Sequence, residues 1–237
     1  MNDNVSTPAR SRRFGPLAVV AAVGLVLFAV GAVLLATGYS WQPVRTSVMS
    51  PQVTRDETVL VESAEAAGIR RGDVIAMSSG AWAGEPSGAT YILRVVGMPG
   101  ETVECCDPQG RILVDGAPLT EAYAGPGNDA FGKFSVPVAA GHFFVLGDRR
   151  DAARDSRAHL DAGGGAIAAA AVEGRVVAVA LPLSAVRTVR TDTGPGLVIA
   201  AAVTGIGAVL LIGAGVFGAG RLIRVLRRRK PQTADTW

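Results

Sequence analysis

The stretch Thr46-Ser47-Val48-Met49-Ser50-Pro51 puts three hydroxyls into six residues, just beyond a long apolar run. Hydroxyl groups so placed suit acyl transfer, in which a serine attacks a carbonyl while a neighbouring base takes its proton. Bases are scarce. Between residues 40 and 193 there is one lysine, Lys133, beside the two histidines His142 and His159. Ser47 and Ser50 are the candidate nucleophiles. In extended backbone successive side chains point to opposite faces, so Thr46 and Val48 share a face and Ser47 points away from it. A second run, Gly147 to Arg157, carries Asp148, Arg149, Arg150, Asp151, Arg154, Asp155 and Arg157 within eleven residues, a density that calls for ion pairing. No metal or cofactor is expected, because the adjacent Cys105 and Cys106 cannot span a tetrahedral zinc and no histidine neighbours them. Two free thiols, or a labile bridge, are the favoured state of that pair, since neighbours on a trans peptide sit closer than bridged Cα atoms ordinarily do.

The elements that must hold these residues are of two kinds. Residues 14–39 and 194–220 are free of charge and each long enough to cross a bilayer core of about 30 Å as a helix. The first exceeds the roughly 7–15 apolar residues of a cleaved signal peptide. Lys and Arg flank both runs on their outer sides, Arg10, Arg12 and Arg13 before the first and Arg221 to Lys230 after the second, so residues 1–13 and 221–237 read as cytoplasmic tails. These tails hold nine of the 23 basic residues and only two of the 20 acidic ones. The basic excess is therefore a topology signal, and nucleic acid is excluded as a partner.

Between the helices, residues 40–193 break into short Val- and Ile-rich segments bounded by Gly, Pro or Asp: ETVLVE, GDVIAM, YILRVVGM, ETVECC, RILVDG, HFFVLGD and GRVVAVALPL. Each predicts a strand. Asp115-Gly116 predicts a hairpin turn, and the Gly-rich stretches 78–89 and 122–134 predict loops. The fold class is a mainly β external domain of antiparallel sheets flanked by two transmembrane α-helices.

Four segments, in order behind the first apolar run, resemble the boxes of bacterial type I signal peptidases, membrane-bound serine endopeptidases. TSVMSP resembles the nucleophile box Ser-x-Ser-Met-x-Pro, and RRGDVIAM the strand box after it. YILRVVGMPG resembles the general-base box, Lys-Arg-Val followed by Gly-x-Pro-Gly. VLGDRRDAARDSR resembles the last box, Gly-Asp-Asn-Arg-Asp-Asn-Ser-x-Asp-Ser-Arg. The segment CCDPQGRILVDGAPLTE, within a small inserted subdomain at 104–141, is similar to the second domain of actinobacterial members.

What this resemblance implies is uneven along the motifs. Thr46 falls on the oxyanion-binding serine and keeps a hydroxyl. Val48 falls on the nucleophile, Leu93 on the lysine base, and Ala153 on a serine beside that lysine; Arg149 and Ala152 replace two asparagines. Arg94, Asp148, Arg150, Asp151, Asp155, Ser156 and Arg157 match and imply an ion-pair network behind the site. The implied function is a signal peptidase I-like membrane protein without its proteolytic chemistry that binds signal peptides or other exported-protein segments. Two alternatives stand beside it: an active signal peptidase using Ser47 or Ser50, and a structural membrane protein or partner of an active peptidase. Expected partners are membrane lipid and signal peptides or the translocation machinery.

Overall fold

The charge-free segment closes into helix α1, Pro16–Gly38, and its counterpart into α2, Pro195–Arg228. Both open on proline, whose missing N–H costs nothing in a first turn. The computed structural model describes residues 15–82, 85, 88–189 and 195–228. The expected tail 1–13 and the end of the basic tail, 229–237, lie outside the described residues. The chain divides into two units, 1–37 with 194–237, and 38–193.

In the helical unit, α1 and the stretch Val198–Arg221 of α2 are each long and apolar enough to cross a membrane; 23 residues at 1.5 Å each give about 34 Å. The helices meet on small residues. Gly24 and Gly31 of α1 and Ala200, Gly207 and Ala214 of α2 are buried, each set at seven-residue spacing. A Cβ on Gly31 would lie 2.7 Å from the Thr204 backbone nitrogen, and one on Gly207 2.8 Å from the Gly24 oxygen. Glycine is what permits this backbone approach.

The second unit is β. In chain order its strands are β1 (Tyr39–Pro43), β2 (Thr58–Glu62), β3 (Val74–Ser78), β4 (Thr90–Gly97), β5 (Thr102–Cys105), β6 (Ile112–Val114), β7 (Ala117–Pro118), β8 (Phe134–Pro137), β9 (His142–Leu146), β10 (Ile167–Ala168), β11 (Val172–Leu181) and β12 (Arg187–Thr188). The larger sheet runs β1-β2-β11-β3-β4-β9-β10, with β12 also paired to β11, and the smaller runs β7-β6-β5-β8. Every pairing is antiparallel. Each of the seven segments expected as strands contains one. At the predicted hairpin Val114 faces Ala117 across Asp115 (φ 51°) and Gly116 (φ 75°), the two positive φ values of a type I′ turn.

The alternation of β3 and β4 sorts their side chains into two cores. Val74, Ala76 and Ile92 join Val44, Met49, Val59 and Val61 on one side, while Ile75, Met77, Leu93 and Val95 join Trp82, Phe143 and Val145 on the other. A third core, built on Val103, Ile112, Phe144 and Leu146, lies beneath the small sheet. Val48 packs against both of the first two cores, at their shared margin.

Of the two states left open for the cysteine pair, the structure has the bridge. Cys105 and Cys106 are joined by a disulfide across a cis peptide, with Cα atoms 3.1 Å apart. The preference for free thiols assumed the trans spacing.

Candidate functional site

The loop from Val44 to Gln52 carries the hydroxyl-rich motif and is pinned from both ends. The Val44 N–H donates to the Glu57 carbonyl (2.8 Å), and the Val53 N–H to the Met49 carbonyl (2.9 Å). Met49 is fully buried and anchors the turn. Val48 then offers its carbonyl to the Arg149 N–H at 2.8 Å, which ties the loop to the acidic-basic run.

This tie brings distant residues together. Thr46, Val48, Tyr91, Ile92, Leu93, Ala152 and Arg154 line one cavity of about 220 Å³. Leu93 is buried and Ala153 is 1% exposed. A Cβ added at Gly147 would lie 2.4 Å from the Ala153 Cβ and 3.5 Å from the Val48 Cβ, so only glycine fits where these side chains converge. The three positions that the motifs align with nucleophile, base and neighbouring serine thus meet at one place, each with an apolar side chain. Valine has no lone pair to attack with, leucine none to accept a proton, and alanine no hydroxyl. The Thr46 side chain is exposed at the rim.

The alternative groups stand elsewhere. Ser47 and Ser50 are half-buried, and neither lines the cavity. Lys133 is exposed and donates to the Cys106 carbonyl at 2.9 Å, on the small sheet. The His142 Nδ1 lies 3.0 Å from the Ala140 carbonyl at the start of β9. His159 is buried, stacked on Trp82 with centroids 4.4 Å apart.

Behind the cavity the run 147–157 folds into a dense polar web. Arg94 pairs with Asp148 at 2.5 Å, both nearly fully buried, and also donates to the Gly72 carbonyl (2.8 Å) and to Gln52. Its guanidinium lies 3.9 Å above the Tyr123 ring. Arg150 pairs with Glu121 at 2.5 Å, donates to the Gly147 carbonyl at 2.8 Å and meets the Asn128 side-chain oxygen. Asp155 caps the short 3-10 turn Ser156–His159, accepting from the Arg157 N–H, and pairs with the Arg157 side chain at 2.8 Å. Arg157 in turn donates to the Arg150 carbonyl at 2.8 Å, and Ser156 Oγ accepts the Val145 N–H at 3.0 Å. Asp151 does not join them: its side chain is 58% exposed and its cationic neighbour is Arg149, at 3.8 Å. It lies on the outer side of the turn while Arg150 points inward.

A second cluster at the rim joins Tyr91 and Arg154, from two of the motif segments, to Glu85, which lies in none. Glu85 accepts from the Tyr91 hydroxyl (3.0 Å) and from Arg154 (2.9 Å), with the His159 Nε2 at 3.6 Å. Hydrogen bonds from Arg154 and Tyr91 hold the Glu85 carboxyl below the usual range. Burial, and the Glu85 carboxylate, push the Tyr91 hydroxyl up. Glu85 falls in a segment read as loose loop, and no spacing in the sequence marks it.

Comparison with known proteins accords with this geometry. Residues 17–181 match the family model for signal peptidase, peptidase S26. A signal peptidase I of Leptolyngbya laminosa is 41% identical over 91 residues, 37% of this chain and 43% of that protein. Signal peptidase I U of Bacillus subtilis (strain 168) is 29% identical over 121 residues, 47% and 61% of the two chains. Signal peptidase I of Bacillus amyloliquefaciens is 31% identical over 145 residues, 56% and 72%. The chain therefore spans less than two thirds of the first two relatives. A crystal structure of a signal peptidase I from Enterococcus faecalis V583 shares 30% identity and covers 45% of this chain and 95% of its own, at a TM-score of 0.35. With the motifs in order and a model match reaching from the first helix to the last long strand, this chain belongs to the signal peptidase family, peptidase S26.

Proposed function

We propose that this protein is a membrane-anchored signal peptidase relative that keeps a peptide-binding cavity and has lost proteolysis. One observation carries the reading: Val48 and Leu93, the residues aligned with nucleophile and base, line the same cavity, with Ala153 buried beside them. Loss of members of a serine-protease catalytic unit costs on the order of 10⁴ to 10⁶ in turnover, and a second loss adds little. Losing the lysine also removes the cost of burying an amine. Ser47 and Ser50 sit outside the cavity lining, which disfavours a displaced nucleophile.

In this reading α1 and α2 anchor the chain in lipid with both termini cytoplasmic, and residues 40–193 face the other side, as the flanking arginines direct. The small sheet of β5 to β8 is the counterpart of the second domain of actinobacterial members. The ligands are extended segments of exported proteins, held beside a sheet edge with one side chain in the cavity. A signal-peptide segment carrying a photoreactive group at its cleavage-site residue tests this. Attachment should map to Thr46, Val48 or Tyr91, and attachment no greater than that of a scrambled peptide would refute it.

A further inference from the structure

We infer that Arg154 makes the cavity a reader of free peptide carboxyl ends, with an aliphatic last side chain inside and the terminal carboxylate on the guanidinium. The inference rests on the peptide-binding reading above and names its ligand more closely.

The cavity's size limits what can enter. Pockets for small molecules usually run from about 300 to 1,000 Å³. At about 220 Å³ this one has room for a single side chain. Its walls decide which kind. Val48, Ile92 and Leu93 present only hydrocarbon, and Leu93 and Ile92 are buried. With neither hydroxyl nor amine among those three, a branched aliphatic side chain is the complementary occupant.

The rim supplies the charge. Arg154 is the one ionisable cation in the lining, and its side chain is 73% exposed. Among the described residues it is held through a single nitrogen, Nη2, which meets the Glu85 carboxylate at 2.9 Å. Glu85 is itself fixed by the Tyr91 hydroxyl at 3.0 Å, and its side chain is only 11% exposed. Nη2 carries one N–H on each of the guanidinium's two donor edges, Nε–Nη2 and Nη1–Nη2, so this single contact occupies one edge and leaves the other with both donors free among the described residues. A guanidinium edge offers two parallel donors, which a carboxylate meets with two charged oxygens and a neutral peptide carbonyl with only one uncharged oxygen. The exposed Thr46 hydroxyl lines the same cavity and offers one more donor. Arg149, partly exposed and 3.8 Å from Asp151, adds positive potential from the next turn, where its N–H already holds Val48.

A peptide with a new carboxyl end is what peptide-bond hydrolysis produces. This places the protein downstream of an endopeptidase, as a binder of its amino-terminal product.

The test uses the full chain in lipid nanodiscs and short labelled peptides ending in Leu, each as free acid and as carboxamide. The acid should bind about tenfold tighter. Arg154→Gln should remove the acid's advantage, so that acid and carboxamide bind with equal affinity, while Arg154→Lys restores part of the preference. Val48→Phe, which fills the cavity, should abolish both. Equal binding of acid and carboxamide would overturn the carboxylate inference and leave peptide binding intact, as would an acid preference that survives Arg154→Gln. Binding of neither peptide would overturn the peptide-binding reading and the inference with it.

Discussion

Arg94 shows what holds the frame behind the cavity together. Its charge is nearly fully buried and is matched by Asp148, by the Gly72 carbonyl, by Gln52 and by the Tyr123 face. Removing one partner would leave an uncompensated buried charge. Asp148→Ala should therefore cost about 3–5 kcal/mol, seen as a lowered unfolding midpoint of the full chain in detergent. Leu93, the neighbour of Arg94 on β4, bears no such constraint: it packs in an apolar core and tolerates exchange for another aliphatic. Glu85 gives a pH dependence whose sign is set by its lowered pKa. Its contribution is fully present above the unfolded value of about 4.3 and is lost as pH falls through the lower folded value. Acid titration of stability should show a step in that range, and Glu85→Gln should flatten it. At this scale the motifs located Val48, Leu93 and Ala153, because aligned spacing is visible in one dimension. They include Arg154 but not Glu85, and the meeting of the two, which joins positions 69 residues apart, is invisible in the spacing.

The elements follow from two periodicities and from glycine. Small residues at seven-residue spacing let α1 and α2 approach to backbone contact, so a bulky side chain there should separate them. Gly31→Leu, whose side chain would meet Thr204, should lower the unfolding midpoint of the full chain in detergent; an unchanged midpoint would refute this packing. Seven strands were legible because β-branched residues crowd their segments between Gly, Pro and Asp. The strands that escaped notice are β1, β7, β8, β10 and β12, in which the β-branched residues are only Val136, Ile167 and Thr188. β8 also ends on Pro137, a residue that reads as a breaker yet is tolerated at the edge of the small sheet, where it faces Thr102. β1 follows α1 with no residue between them, so the chain passes from helix to strand at Gly38 without a loop.

For the whole molecule, the family's fold is present and, in the function proposed above, the family's chemistry is not. The sheets, the buried ion pairs and the cavity remain, and three apolar side chains occupy the positions where proton transfer would occur. If those substitutions alone silence the enzyme, putting the polar groups back should restore it. The most direct measurement is cleavage of a purified exported precursor in lipid by the natural chain and by a variant carrying Val48→Ser, Leu93→Lys and Ala153→Ser together. The account predicts an uncut precursor with the natural chain and a specific cut with the variant; cleavage by the natural chain would contradict it.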